Sequence, residues 1–576
     1  MGESMTKEEV ARVLEEIGEL LDIRGENPFK VRAYHNAARA LAGTDRDVEE
    51  LASAGRLREI KGIGEGIAEK IAELVKTGRL KYYEELKSTL PEGITNLLAI
   101  PGLGPKKVKK ICDALGISSV GELEYACNEN RLVDLEGFGA RSQEKILEGI
   151  AYIKKTQGQF HIDFALQSAG DLLEKIRGFK GVARAEIAGS LRRRKEVVKD
   201  IDIVAATAKP GPLMEFFAGL PDVESVIAKG ETKTSIRLKS GMNADLRAVS
   251  EEEFPFALMY LTGSKDHNTA MRGIAKKAGY KLNEYGLFKG ERKTPCRSED
   301  EIFAKLGMAY IPPEMREDAG EIAAAEAGKM PDLVEEKDIR GLFHVHTTAS
   351  DGTATLEQMA LAAKKLGYAY LGIADHSRSA KYAGGLDAAD VKKQHKEIDA
   401  LNGKLSGFTI LKGIECDILP DGSLDYPDPV LASFDFVIAS IHSKFNMTEA
   451  EATRRIVKAM KNRHVTMLGH PTGRLLLSRE GYPVDMGQVI DTAADLGVAI
   501  EINAHPFRLD LDWRLVHHAK DKGVKIAINP DAHSVEGLKD VSYGVGIARK
   551  GWLEVKDVVN AWPLEKVRKF LAARGG

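Results

Sequence analysis

Four things are missing from this chain of 576 residues, and each absence removes a class of protein. No uninterrupted apolar run is long enough to cross a bilayer, so no membrane segment is expected. The four cysteines, Cys112, Cys127, Cys296 and Cys416, form no C-x-x-C pair, which leaves neither a disulfide framework nor a thiolate zinc site. The start, MGESMTKEEVARVLEEIGELL, lacks the basic, apolar, small-residue order of a secretory leader, and a cytoplasmic location is expected. Excess charge of one sign is missing too. The formal net charge is only -3, so a polyanionic partner would have to be met by local basic patches.

What is present reads as a multidomain globular protein. The composition, 43% hydrophobic and 29% charged, is ordinary, and the length exceeds what one core fills. A small motif recurs three times in the first 150 residues or so: REIKGIGEGIAEKI (58–71), LLAIPGLGPKKVKKI (97–111) and VDLEGFGARSQEKI (133–146). Each runs apolar, Gly-x-Gly, helix. Gly62 and Gly64, then Gly102 and Gly104, permit a tight turn and close approach of another backbone, while the helix start behind them offers free N–H groups to an anion. Lys106 and Lys107 crowd the second copy, which suits a phosphate backbone read without sequence preference. A single copy could equally be a turn between packed helices; three copies favour the cradle.

From about residue 153 to 318 helix and strand patterns mix. In KDIDIVAAT, period-two alternation puts Asp200 and Asp202 on one face and Ile201 and Ile203 on the other. MNADLRAV repeats the pattern with Asp245 and Arg247. Three carboxylates from neighbouring strands can hold two divalent ions for in-line phosphoryl transfer, and an all-oxygen set suits Mg2+ (or Mn2+). A bare D-x-D is more often a solvated strand face; here IAGSLRRRK stands upstream, with arginines suited to clamping phosphates, and YLTGSKDHNTAMR stands downstream. Residues 319–338 mix small, acidic and proline residues and read as a connector. Beyond 339, β-rich and helical segments alternate about seven times, the habit of βα units around a parallel sheet or barrel.

The ordered set GS-x-RR, D-x-D, KGETK, D-x-R and TGS-x-x-x-N resembles the X family of DNA polymerases over about residues 1–318. The resemblance implies a metal triad of Asp200, Asp202 and Asp245, and nucleotide contacts from Gly189, Ser190, Arg192, Arg193, Tyr260, Gly263, Ser264 and Asn268. It implies DNA contacts from Lys233, Arg247 and Arg272, with Lys30 and Tyr34 at a DNA end. Lys70 falls at the position of the family's Schiff-base lysine, a group able to form an imine with an abasic sugar. Three departures stand out. Leu261 replaces an aromatic beside the sugar gate, Gly66 replaces a lysine that grips the 5′ phosphate, and no basic residue lies between His161 and Lys175.

In the last 240 residues or so, apparent strands end in metal-ligand residue types: GLFHVH with His344, His346 and then Asp351, YLGIADH with Asp375 and His376, LKGIECD with Glu415, FVIASIH with His442, VTMLGH with His470, and KIAINPDAH with Asp531 and His533. In a βα barrel such strand ends form one rim. These stretches resemble the PHP (polymerase and histidinol phosphatase) family, which implies two to three divalent metals, Zn2+, Mn2+ or Fe, and metal-assisted hydrolysis of a phosphate ester. Arg474 and Arg508 are candidate phosphate grips, and His505 is a candidate substrate contact.

The expected fold is therefore an α-helical helix-hairpin-helix N-terminal region, an α+β nucleotidyltransferase palm with a thumb or nucleotide-selection subdomain, and a distorted (βα)7 barrel. The expected divisions are 1–80 (lyase-like, DNA-end-binding), 81–152 (duplex-binding), 153–250 (palm), 251–318 (nucleotide selection), 319–338 (linker) and 339–576 (PHP). The expected function is short-gap filling in base excision repair with 3′ to 5′ exonuclease and, as further options, abasic-site endonuclease or 3′-phosphoesterase activity. Expected partners are gapped or nicked DNA and deoxynucleoside triphosphates, acting on a monomer. The alternatives are an end-processing phosphoesterase whose polymerase half is a DNA-binding scaffold, and a small-molecule phosphatase, which would have no use for three cradles.

Overall fold

A computed structural model describes residues 7–575 apart from 43, 45, 47, 61, 90–92, 99, 101, 102 and 134. The chain divides into two compact units, Met1–Ile153 and Lys154–Gly576.

The first unit is helical among the described residues. Helices α1 (Lys7–Ile23) and α2 (Pro28–Ala42) pack so closely that the His35 ring lies against Gly18. Helix α3 (Glu65–Thr77) follows the first Gly-x-Gly turn and α4 (Pro105–Leu115) the second; α5 (Ala140–Gln157) follows the third. In α3, Ile67, Ile71 and Leu74 recur at helical spacing and are buried, and Gly78 ends the helix in the left-handed region. In α4, Pro105 occupies the first turn, where its missing N–H costs nothing, and Gly116 provides the same left-handed stop.

The second unit opens with α6 (Ile162–Arg177), β1 (Val182–Ile187), the short α7 (Gly189–Arg192), β2 (Asp200–Thr207), β3 (Val223–Lys229), β4 (Lys233–Leu238) and β5 (Asn243–Val249). These strands form one sheet in the order β1-β2-β5-β4-β3, with β2 and β5 parallel and the other pairs antiparallel. Alternation decides the faces: Ile201 and Ile203 are fully buried, while Asp200 is exposed. Helices α8 (Phe254–Thr262) and α9 (Lys265–Lys277) follow.

The remainder is a parallel sheet of seven strands in sequential order: β6 (Gly341–Val345), β7 (Tyr370–Ile373), β8 (Thr409–Asp417), β9 (Phe436–Ser440), β10 (Met467–Leu468), β11 (Ala499–Asn503) and β12 (Ile526–Asn529). A parallel bridge between Val345 and Ala532 brings the first and last strands together, so the barrel is nearly closed. Strands AIEIN and IAIN are buried along their whole length, Glu501, Asn503 and Asn529 included. Phe343 and Phe436 meet edge to face at 5.2 Å between ring centroids in this core, each burial contributing roughly 2–3 kcal/mol.

The segment 319–338, expected as a connector, is built into the fold rather than loose. Glu321 is fully buried against His267 at 2.7 Å, and the Val334 amide donates to the Leu553 carbonyl at 2.9 Å. One apolar cluster also includes residues of both the palm, such as Ile201, and the barrel, such as Leu342.

Candidate active sites

The polymerase candidate forms where β2 and β5 run side by side. In their register Asp202 faces Asp245 directly, and Asp200 lies one pleat before Asp202 on the same face. The turn into α7 closes over them: Gly189 has φ +63°, and a Cβ there would stand 2.1 Å from Asp202 Oδ2. Glycine is thus required both by conformation and by the approach of the carboxylate. Burial, followed by the neighbouring Asp200 and Asp245, pushes Asp202 up to about 6. Burial and Asp245 likewise raise Asp200. Mutual repulsion of this kind marks a place for cationic charge. A cavity of about 160 Å³ opens onto Asp202 and Asp245, with Tyr260, Leu261 and Tyr285 on its walls.

Several expected contacts are engaged differently. Lys233 pairs with Asp245 at 2.7 Å rather than projecting toward a DNA backbone. Arg192, expected to clamp phosphates, grips the buried Glu299 with both guanidinium nitrogens, at 3.0 and 2.6 Å, and reaches Thr262 at 2.7 Å. A guanidinium so paired is structural in this state. Arg193 donates to Glu317 at 3.1 Å and to the Thr262 carbonyl. Ser264 caps α9, Asn268 donates to the Tyr260 carbonyl at 2.7 Å, and Arg272 is exposed on α9. Gly263 lies against the Arg193 guanidinium, Ser190 sits in α7 between Gly189 and Arg192, and Arg247 lines the cavity.

In the helical unit, Lys30 and Lys70 lie over the Tyr82 ring at 5.9 and 5.0 Å, and Tyr34 stacks on that ring at 6.3 Å. Tyr82, absent from the sequence reading, is what gathers the expected residues. Gly62, at φ +106°, needs glycine for its conformation; a Cβ on Gly64 or Gly104 would meet nothing within 4 Å. Neither glycine is required by internal packing. Lys106 and Lys107 are exposed, Lys107 lying 6.0 Å from the Phe138 ring of the third turn. Gly102 falls outside the described residues.

The second candidate is the barrel rim. His346, Asp351, His376 and His533 have ligand atoms close enough to share one ion, as do His344, Glu415 and His470, His344, His346 and Asp531, and His376, Glu415 and His442. The sharing of residues among these groups makes a multinuclear centre chemically apt. Glu415 sits at the middle, 3.2 Å from His344, 2.8 Å from His376, 3.0 Å from His442 and 2.9 Å from His470. The His346 and His376 rings are buried among carboxylates, His346 Nε2 3.2 Å from Asp531 and His376 3.4 and 2.8 Å from Asp351 and Glu415, a density of ligand atoms screened from water that suits a cation. Burial, then His533 and His376, drives His346 down to about 3; at His376, Asp351 and Glu415 outweigh burial and lift it to about 10.

Spacing of i and i+2 would by strand alternation put His344 and His346 on one face, but the backbone is not a regular strand there. His344 adopts φ +56° and the ladder shifts register between Leu342 and Val345, so the two imidazoles converge through a bulge, 5.2 Å apart, rather than by plain alternation. Asp531 has φ +52° as well. Left-handed backbone at two such residues is strain of roughly 1–3 kcal/mol each, concentrated at the site. Asp375 lies outside these groups. It accepts hydrogen bonds from Thr347, Ser350 and Gln394, fixing the loop that carries Asp351.

At the barrel rim, Glu501 and Asp417 escaped the sequence reading. Glu501 accepts from His344 Nδ1 at 2.5 Å and from the His470 amide at 2.6 Å, and Asp417 meets His442 Nδ1 at 2.5 Å. A carboxylate on the far nitrogen of a ligating imidazole fixes its tautomer and direction. The signal for Glu501 was a charge within the apolar strand AIEIN. Arg508 lies 3.6 Å from Asp531, whereas Arg474 is held by Asp512 at 2.8 Å and by backbone carbonyls. The His505 amide donates to Asn503 at 3.1 Å within the adjacent loop.

Family models match four stretches of the chain. Models for a helix-hairpin-helix domain match residues 5–80, for a SAM-like helix-hairpin-helix tandem 94–151, for a DNA polymerase beta thumb 257–317, and for a PHP domain 343–505. The DNA polymerase/3'-5' exonuclease PolX of Bacillus subtilis (strain 168) is 43% identical over 572 residues, covering 98% of this chain and 99% of that protein. A probable phosphatase of Thermoanaerobacter sp. (strain X514) is 30% identical over 245 residues, 40% of this chain and 92% of the other. A crystal structure of Leishmania infantum polymerase beta, a ternary P/T complex, aligns with 39% of this chain and 97% of its own at 25% identity and a TM-score of 0.26. With near-complete coverage at 43% identity, the chain belongs to the family of the PolX proteins, X-family DNA polymerases that carry a C-terminal PHP domain.

Proposed function

We propose that this protein is a template-directed DNA polymerase that fills short gaps during base excision repair and a 3′ to 5′ exonuclease that trims DNA ends at its PHP site. The observation that carries the first half is the facing pair Asp202 and Asp245 under the Gly189 turn. The full-length relative bears both activities in its name.

In this reading Asp200, Asp202 and Asp245 hold Mg2+ or Mn2+. Ser190 and Arg193 bind the triphosphate, Tyr260 and Gly263 guard the sugar, Asn268 faces the base and Arg272 the template. Divalent ions there supply charge neutralisation of the triphosphate and acidification of the primer hydroxyl. Lys233, paired with Asp245, yields that carboxylate when an ion arrives and is then free to meet the DNA backbone. In the barrel, His344, His346, Asp351, His376, Glu415, His442, His470, Asp531 and His533 hold two to three ions of Zn2+, Mn2+ or Fe, which supply Lewis acidity toward a phosphodiester. Arg508 steadies the scissile phosphate.

Residues 1–80 bind a DNA end, 81–152 the duplex, 153–250 form the palm and 251–318 select the nucleotide. The substrate is gapped or nicked DNA, met by a cytoplasmic monomer. Lys70, held by the Gly66 carbonyl at 3.0 Å, is the candidate for an abasic-sugar imine.

Primer extension on a one-nucleotide gap tests this, comparing wild type with Asp202→Asn and His344→Ala. The first variant should lose synthesis and keep digestion; the second should do the reverse. Loss of both activities in either variant contradicts two independent sites.

A further inference from the structure

Lys550 ends the helix α10 (Val541–Lys550) of the barrel domain, and its side chain is fully buried. Its ammonium reaches residues outside the barrel domain. It donates to Glu317 Oε1 and, at 3.1 Å, to the carbonyl of Arg193, the arginine behind the polymerase carboxylates; the Trp513 ring lies 5.0 Å beneath it. Arg193 Nε donates to the same Glu317 oxygen at 3.1 Å. The helix is braced in place, since Arg549 pairs with Glu314 at 2.8 Å and Gly546 lies flat on the Arg194 side chain.

We propose that Lys550 is a positioning residue for nucleotide binding: by sharing Glu317 and pinning the Arg193 carbonyl, it keeps the Arg193 guanidinium available to a triphosphate. The inference rests on Arg193 being a triphosphate ligand. Burial would raise the Glu317 carboxyl, but Lys550 and Arg193 overcome it and hold the group ionised. Two cations share one carboxylate, so the charge of Glu317 is not spent on Arg193 alone. With Lys550 gone, Glu317 would be a buried anion with Arg193 as its main counter-ion, and a buried pair resists separation because parting leaves a charge unpaired. The incoming phosphates would then have to compete with Glu317 for Arg193.

Full-length Lys550→Met, Glu317→Gln and the double variant test this by single-nucleotide gap filling. Methionine keeps the stem and removes the charge. Lys550→Met should raise KM for the deoxynucleotide about tenfold, with kcat and the exonuclease rate within about threefold of wild type. Adding Glu317→Gln should bring KM back to within about threefold of wild type, because the competitor for Arg193 is gone. A purely structural lysine would give a double variant worse than either single one. An unmoved KM in Lys550→Met, synthesis and digestion falling together, or a double variant worse than Lys550→Met overturns the proposal. Arg193→Ala run alongside separates the premises. If it leaves KM unchanged, the assignment of Arg193 fails and the proposal with it; if it raises KM while Lys550→Met does not, the proposal alone fails.

Discussion

Gly189 and Asp202 occupy each other's space: a single methyl group on the glycine would come within 2.1 Å of the carboxylate oxygen. The Ala188 amide also donates to the Asp202 carbonyl at 2.7 Å, so the turn and the strand are locked as one piece. Gly189→Ala should therefore displace either the carboxylate or the turn bearing Ser190 and Arg193. A shift of about 1 Å in such machinery costs on the order of 100-fold in rate. We expect gap filling to fall by about that factor while exonuclease activity on the same preparation is retained. Full synthesis by Gly189→Ala would show that the turn is not part of the site.

Glu501 tests the barrel in the same way. Through His344 Nδ1 and the His470 amide it aims two ligands without belonging to any of the candidate ligand groups. Glu501→Gln should lower bound metal and exonuclease activity about 10- to 100-fold while leaving polymerisation intact. Metal content after dialysis, measured by mass spectrometry, is the direct readout. Wild-type occupancy in the variant would reduce Glu501 to a packing role.

These two residues mark where the sequence was readable and where it was not. The Asp200, Asp202 and Asp245 pattern was legible because strand period and face are local properties, and the β2–β5 register then brought them together. The residues that gather at the rim were legible because polar residues recurred at the ends of apolar strands. Glu501 was not, since it lies inside a strand and its partners are 157 and 31 positions away. Nor was the engagement of Arg192 by Glu299, 107 residues on, which no motif spacing encodes. The segment 319–338 misled for a related reason: its small and acidic composition suits a linker, but tertiary partners such as His267 and Leu553 fix it in place.

Glu299 also makes acid stability measurable. Burial alone would raise its carboxyl, but Arg316 and Arg192 hold it down at about 2, against an ordinary 4.5. A carboxyl depressed on folding stabilises the protein fully above its unfolded value and loses that contribution as pH falls through its folded one. The stabilisation should thus be complete above pH 4.5 and fade toward about 2. Glu299→Gln should cost about 3–5 kcal/mol at pH 7, because it strands the fully buried Arg316 as well as Arg192. In denaturant melts the gap between wild type and variant should narrow steadily below pH 4.5. A gap independent of pH would mean that shape rather than charge is what Gln fails to supply.

Removal of metal should be visible in the barrel alone. All three tryptophans, Trp513, Trp552 and Trp562, lie in the C-terminal domain, so their fluorescence reports on it without contribution from the helical unit. Its rim holds histidines and carboxylates packed within ligand distance and screened from water, His376 Nδ1 and Glu415 Oε2 only 2.8 Å apart. Such a cluster is destabilising as protein and stabilising as a cation site, since a ligand bound only by the folded state adds about 2.7 kcal/mol at a hundred times its dissociation constant. Exhaustive chelation should therefore lower the fluorescence-detected Tm by at least about 5 °C, and Mn2+ or Zn2+ should restore it. His344→Ala should begin from the lower Tm and gain less on readdition, because it loses a ligand of two of the groups. If chelation leaves Tm unchanged while exonuclease activity disappears, the cluster is stable as a proton-shared network and the ions contribute chemistry without holding the fold.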